Sequence, residues 1–229
     1  MKTRSKYKIL VVMLATGLAV MLIALFLRQS AVSSEKDNGK ISLLPVYNTA
    51  DFTPVWLTKE NKDVNFHTIP AFSFTDQNGN SFGSKELAGK IYAVDFFFTS
   101  CPGICPKLTD NFIKVQSAFK NDARVKLVSF SVTPDRDSVP VLQSYAAGHG
   151  VNYENWRLLT GSKKDIYSLA RNSFYADEDL GEQADENVFL HTENVLLIDT
   201  KGRIRGLYKG TYPLEIEKMI REIKILEEE

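Results

Sequence analysis

The sequence predicts a layered α/β domain, a central mixed sheet flanked by helices, carried behind one N-terminal transmembrane helix. Two patterns predict the domain and a third predicts the helix. Apolar, β-branched runs alternate with segments of helical periodicity between about residues 91 and 173. A hairpin and one more helix then close the chain. Near the N-terminus, residues 9–27 form a run of 19 without a charge. At ~1.5 Å rise per residue, such a helix nearly matches the ~30 Å hydrocarbon core of a bilayer. A chain of 229 residues suits one domain with appendages. We assign residues 1–8 to a basic cytoplasmic tail, 9–27 to the anchor, 28–65 to a linker and 66–229 to the folded domain.

Lys2, Arg4, Lys6 and Lys8 flank the anchor and predict that the N-terminus stays in the cytoplasm. The domain is then expected on the extracytoplasmic side of the inner (cytoplasmic) membrane. The competing reading is a cleaved signal peptide, whose apolar run is usually shorter, ~7–15 residues. No cysteine follows the run, so a lipid-modified anchor is not expected. Residues 28–65 are polar and contain Pro45 and Pro54, which reads as a tether. Leu43, Leu44, Val46, Tyr47 and Trp56 have the apolar character to pack on the domain edge.

Asn78-Gly79, between short runs at 71–75 and 81–82, marks a hairpin turn. Residues 91–98 are an apolar, aromatic run that reads as a buried strand, with Phe96, Phe97 and Phe98 as core. Leu108, Phe112, Val115 and Phe119 recur at helical spacing, and Pro106 falls where its missing N–H costs nothing. Residues 125–132 form a second strand, and Asp135-Arg136-Asp137 reads as a turn with an internal ion pair before a helix capped by Ser138. A third strand at 156–159 and a helix capped by Ser162 follow. Next comes a loop with six acids, Asp177, Glu178, Asp179, Glu182, Asp185 and Glu186. It reads as solvated, or as a docking site for a basic partner. Strands at 195–198 and 203–208 flank the turn at 199–202, and residues 213–225 form the closing helix.

The net charge is zero, but it is unevenly placed. The first 28 residues hold five bases and no acid, leaving 23 bases against 28 acids in the rest. A nucleic-acid partner is therefore not expected.

Both cysteines, Cys101 and Cys105, lie where the central strand turns into a helix N-terminus. There the helix dipole and free backbone N–H groups favour thiolate over thiol. Two cysteines are too few for a disulfide framework, so their closeness needs a local reason. Their Cys-x-x-x-Cys spacing is one residue longer than that of common redox motifs. On a helical turn, residues i and i+4 share a face, so the sulfurs can share a metal or close a disulfide. Two thiolates are a soft donor set that selects Cu(I) or zinc over hard cations. A structural zinc site would want four ligands. The chain holds three histidines from which a further ligand could come. His191, just before the strand at 195, is the candidate. His149, in Ala-Gly-His-Gly, reads as an exposed helix end, and His67 as a surface residue at the start of the domain. The bland alternative for His191 is a loop histidine bonded to backbone.

Phe98-Thr99-Ser100-Cys101-Pro102-Gly103-Ile104-Cys105-Pro106 resembles the SCO/SenC copper-protein family. So do Ser131-Val132-Thr133-Pro134-Asp135-Arg136-Asp137 and the histidine before the strand that ends Leu197-Ile198-Asp199-Thr200-Lys201-Gly202. The resemblance covers about residues 70–225, and a membrane anchor is typical of it. It implies a thioredoxin-like fold and copper, as Cu(I) or Cu(II), bound by Cys101, Cys105 and His191. It also implies a role in assembling the CuA centre of cytochrome c oxidase. The CuA-bearing subunit, or another copper or thiol protein, would be the partner. The pattern departs at Gly103 and Leu190, where many members carry an acid, and at Ser100, where a histidine is frequent.

The leading expectation is a membrane-tethered copper chaperone. The alternative is a thiol–disulfide reductase that uses Cys101 and Cys105 as a redox-active pair to keep a partner's metal-binding cysteines reduced. A peroxidase would need activating contacts around Cys101 that the motif does not supply. Covalent haem attachment fails for want of Cys-x-x-Cys-His. A purely structural disulfide would close a loop too short to remove much chain entropy.

Overall fold

The computed structural model describes residues 21, 44–58, 60–61, 64–176 and 192–229. Two compact units divide the chain, Met1–Ile41 and Ser42–Glu229. In the first, Met21 is described and is helical. The basic tail and, Met21 apart, the anchor lie outside the described residues. Among the described residues, no helix is long and apolar enough to cross a membrane.

The second unit runs, in chain order, through β1 (Val46–Tyr47), β2 (Pro54–Val55), β3 (Ser73–Asp76), β4 (Ser81–Gly83) and α1 (Ser84–Leu87). Then come β5 (Ile91–Phe97), α2 (Cys105–Ala118), β6 (Val125–Ser131), α3 (Val139–His149), β7 (Trp156–Thr160) and α4 (Lys163–Asn172). The hairpin β8 (Asn194–Ile198) and β9 (Ile204–Lys209) leads into α5 (Pro213–Leu226). The strands form one mixed sheet in the order β2-β1-β9-β8-β5-β6-β7-β3-β4. β5, β6 and β7 are parallel, β8 pairs antiparallel with β5, and β9 pairs antiparallel with β8.

Crossovers β5-α2-β6 and β6-α3-β7 step in one direction across the sheet, so their right-handed connections put both helices on the same face. The connection from β7 to β8 steps back over β6 and β5, and α4 lies on the other face. Buried residues sort the same way. Leu108, Phe112 and Val115 of α2, Leu142 of α3, and Ile216, Met219 and Ile223 of α5 pack with Ile91, Ala93 and Phe97. Leu87 of α1 and Ile166, Leu169 and Ala170 of α4 pack with Tyr92, Val94 and Phe96. β5 is covered on both faces, which is why it reads as a nearly continuous apolar run rather than an alternating one. This is the thioredoxin-like arrangement of a mixed sheet between helices.

The hairpin turn follows from its own residues. The Asp76 carboxylate accepts from the backbone N–H groups of Asn78 and Asn80, both at 2.9 Å, and Gly79 takes φ 81°, in the left-handed region. Ser162 caps α4 through its hydroxyl, which accepts from the Asp165 N–H at 3.3 Å. Ser138 holds the N-cap position of α3, but its hydroxyl makes no capping bond.

Residues 44–47, within the stretch assigned by sequence to the linker, pack on the domain edge. Tyr47 pairs with Ile204 at the sheet edge, and Leu44 and Val46 are buried. The cause lies far away in sequence. The buried Arg205 guanidinium donates to the carbonyls of Leu44 and Pro45, both at 2.9 Å. A two-residue strand held by an arginine on β9 leaves no periodicity to read. Trp56, expected to pack on the edge, is exposed.

Candidate metal and redox site

Ligand sites in open α/β sheets form outside the carboxyl ends of the parallel strands. Here the loop from β5 carries Cys101 to the N-terminus of α2, where Cys105 is the first helical residue and Pro106 the second. Cys101 is partly exposed, whereas Cys105 is buried with 4% of its surface accessible. Both thiols are free and lie within hydrogen-bonding reach of each other.

The two sulfurs differ in acidity. Burial raises the Cys101 pKa, but the Cys105 thiol and the backbone N–H groups of Cys105, Gly103 and Ile104 outweigh it. The net direction is below the ordinary thiol value. Those N–H groups are the unpaired donors of a helix start turned toward one sulfur. Burial pushes Cys105 up to about 12, reinforced by its bond to Cys101 and by the negative charges of Cys101 and Asp95, with the Phe98 backbone opposing. The pair thus consists of an accessible nucleophile and a buried thiol that holds its proton. Such a pair can attack a disulfide and then close one internally.

An anchor that the sequence reading missed fixes the loop. Asp137, 1% exposed, turns inward rather than lying in a surface turn. Its carboxylate accepts from the Thr99 hydroxyl at 2.6 Å and the Thr99 N–H at 3.2 Å. It also accepts from the Ser131 hydroxyl at 2.6 Å and the Thr133 hydroxyl at 3.1 Å. One carboxylate therefore ties the residue two before Cys101 to the end of β6. The available signal was an acid six residues past the end of β6, a strand that ends in a hydroxyl.

Asp95 was also missed. It is a lone acid inside an apolar strand, 2% exposed, and its Oδ1 has no hydrogen-bond partner among the described residues. Burial raises its pKa to about 7, partly opposed by the Ser129 hydroxyl and its own backbone N–H. Tyr145 of α3 covers the same region. Its hydroxyl bonds to that of Thr109 at 2.7 Å and its ring lies 5.4 Å from Phe97.

His191 and the acidic loop lie outside the described residues. Thr192, the next residue described, is buried and leads into β8. Antiparallel pairing of β8 with β5, Val94 opposite Leu196, puts the start of β8 at the end of β5 from which the cysteine loop leaves. Glu193 is taken up by β9, accepting from the Thr211 hydroxyl and pairing with Lys209 at 3.4 Å. His149 is exposed at the end of α3, its ring 4.1 Å from that of Tyr145. His67 is half-buried rather than on the surface, with Nε2 2.8 Å from the Ser173 carbonyl. Among the described residues, no third histidine, cysteine or carboxylate joins the thiols in a metal-holding group. Two sulfurs remain a donor set of the right softness for monovalent copper.

Residues 60–227 match the family described as SCO1/SenC. The chain is 30% identical over 165 residues to the SCO1 protein homolog of Bacillus subtilis strain 168, covering 71% of this chain and 84% of that protein. The solved structure of BsSco, a member of the Sco family of cytochrome c oxidase assembly proteins in which a disulfide switch is identified, is 29% identical with a TM-score of 0.58. That match covers 69% of this chain and 92% of the other. Copper-bound ScoI of Bradyrhizobium japonicum is 25% identical with a TM-score of 0.54, covering 68% and 99%.

Proposed function

The chain belongs to the SCO1/SenC family, and from that premise we propose that it is a copper chaperone tethered to the cytoplasmic membrane. Residues 9–27 anchor it, residues 1–8 stay in the cytoplasm, and the folded domain works on the opposite side. Cys101, Cys105 and His191 hold one copper ion as cargo. Its destination is the CuA site on a cytochrome c oxidase subunit.

The observation that carries this reading is the pairing of two free sulfurs at the carboxyl end of β5, beside the start of β8. Thiolates bind Cu(I) by softness, and an imidazole suits either copper oxidation state. The loop of Thr99 and Asp137 holds the cysteine turn before any ion arrives, so little ordering remains for binding to impose. Copper-bound ScoI supports the same cargo by likeness.

A second reading, thiol–disulfide reductase, is favoured by the unequal acidity of Cys101 and Cys105 and by the switch reported for BsSco. The two readings separate in an anaerobic Cu(I) titration of the full chain in detergent, with thiols counted before and after. A chaperone takes up one equivalent and shields both thiols from alkylation. A chain that leaves both thiols open under excess Cu(I), yet reduces a protein disulfide, is a reductase only.

A further inference from the structure

We propose that Gly210 is a positioning residue of the copper site: it sets the separation between the helix that carries Cys105 and the strand that the chain enters just after His191. This rests on the reading of Cys101, Cys105 and His191 as one site.

Gly210 follows the last residue of β9. The antiparallel ladder pairs Asn194 with Lys209, and the Gly210 N–H donates to the Glu193 carbonyl at 2.8 Å, so the ladder runs one residue beyond each strand. Glu193 is two residues past His191 in sequence. From the other side, the buried Asn111 of α2 donates through Nδ2 to the Gly210 carbonyl at 2.7 Å. The two polar backbone groups of Gly210 therefore link the entry of β8 to α2.

Packing closes the same gap. A methyl group on Gly210 would lie 2.3 Å from Leu108 Cδ2, 2.6 Å from Val195 Cγ2 and 3.2 Å from the Glu193 carbonyl oxygen. Carbon atoms in ordinary contact keep about 3.5–4.0 Å. Leu108 stands on α2 one turn after Cys105, and Val195 is the second residue of β8. Both are buried in one cluster with Cys105, and a valine on a strand is stiff at χ1, so neither side chain has room to turn away. The φ of Gly210 is outside the left-handed region, so space and not backbone conformation demands the glycine here. α2 and β8 approach as closely as they do because no side chain stands between them at this position.

The two halves of the site depend on that gap differently. Cys101 and Cys105 lie at one helix start and reach each other directly, so their spacing does not involve β8. Only a donor arriving from the β8 side does. Two thiolates suffice for Cu(I), whereas Cu(II) prefers a fuller tetragonal set. A wedge between α2 and β8 should therefore spoil Cu(II) binding and spare Cu(I).

The test is a pair of copper titrations of the full chain in detergent. Cu(I) is titrated anaerobically in competition with a coloured Cu(I) chelator, and Cu(II) is followed by the thiolate-to-copper charge-transfer band. Gly210→Ala should keep its Cu(I) affinity within about threefold, while its Cu(II) affinity falls about 10–100-fold and the band weakens. Gly206→Ala is the control. That glycine pairs with Leu197 in mid-strand, and a methyl there would lie 2.2 Å from the Tyr208 hydroxyl oxygen, so it crowds β9 itself. Both of its copper affinities should match wild type. Should Gly210→Ala fail to fold, Asn111→Ala, which adds no bulk, decides by the same readouts and must weaken Cu(II) binding alone. Wild-type Cu(II) binding in the deciding variant, equal losses of Cu(I) and Cu(II), or the same Cu(II) loss in Gly206→Ala overturns the proposal. His191→Ala, measured alongside, separates the two levels. If it loses the band, the copper-site reading stands whatever Gly210 does; if it keeps the wild-type band, reading and proposal fall together.

Discussion

Cys101 and Cys105 carry the same chemical group four residues apart, and their surroundings give them opposite tasks. Cys101 is held below the ordinary thiol value by the hydrogen bonds around it, and Cys105 is pushed up to about 12 by burial. Iodoacetamide at neutral pH should therefore label Cys101 first, and Cys105 only when the domain unfolds. Peptide mapping of the alkylated chain checks this, and equal labelling would contradict it. Asp95 adds a dependence of stability on pH. Its folded pKa, about 7, lies above the ordinary 3.8, so the folded state holds the extra proton between those values. Stability from this group is complete below about pH 4 and is lost as pH rises through about 7, with a cost of up to about 4 kcal/mol. Asp95→Asn should remove that loss. In urea unfolding at pH 8 the variant should be more stable than wild type, with the advantage vanishing near pH 4. An advantage that grew toward acid would have the wrong sign.

At the scale of elements, the cysteine turn depends on one side chain two elements away. Asp137→Ala removes the acceptor of bonds from Thr99, Ser131 and Thr133. A loss of about 3 kcal/mol is expected, since bonds to a charged group are worth about 1.5–3 kcal/mol each and do not add fully. Denaturant unfolding measures it, and a change below about 0.5 kcal/mol would show that the loop holds itself. The central strands were legible as continuous apolar runs because both of their faces are buried, and the helices by their apolar spacing and the turn and cap residues before them. The cysteine turn was legible because Pro106 and two thiols announce a helix start. Asp137 was not, because its partners converge from separate segments, and Asp-Arg-Asp also suits a surface turn. Asp95 was hidden by its neighbours, which make the strand look wholly apolar. β1 was hidden because Arg205, which recruits it, lies about 160 residues on.

Across the whole molecule, Arg205 ties together the chain's distant parts. It reaches the Leu44 and Pro45 carbonyls, Asp199 at 3.0 Å and the Glu229 side chain at 2.8 Å. Removing one partner of a buried ion pair costs about 3–5 kcal/mol because the charges left behind stay buried. Arg205→Ala should lose about that much, and hydrogen exchange at residues 44–47 should approach that of an unfolded segment while α2 stays protected. Uniform loss of protection would mean that this edge folds together with the core. The proposed copper site joins the two sulfurs at the carboxyl end of β5 with the His191 imidazole. The most direct measurement is the Cu(II) spectrum of the full chain and its His191→Ala variant. Two sulfurs alone leave Cu(II) short of its preferred tetragonal set. The variant should therefore keep much of its Cu(I) affinity but lose most of the thiolate-to-copper charge-transfer band, while His67→Ala and His149→Ala leave that band unchanged. A His191→Ala band with the position, intensity and lifetime of wild type would contradict the account.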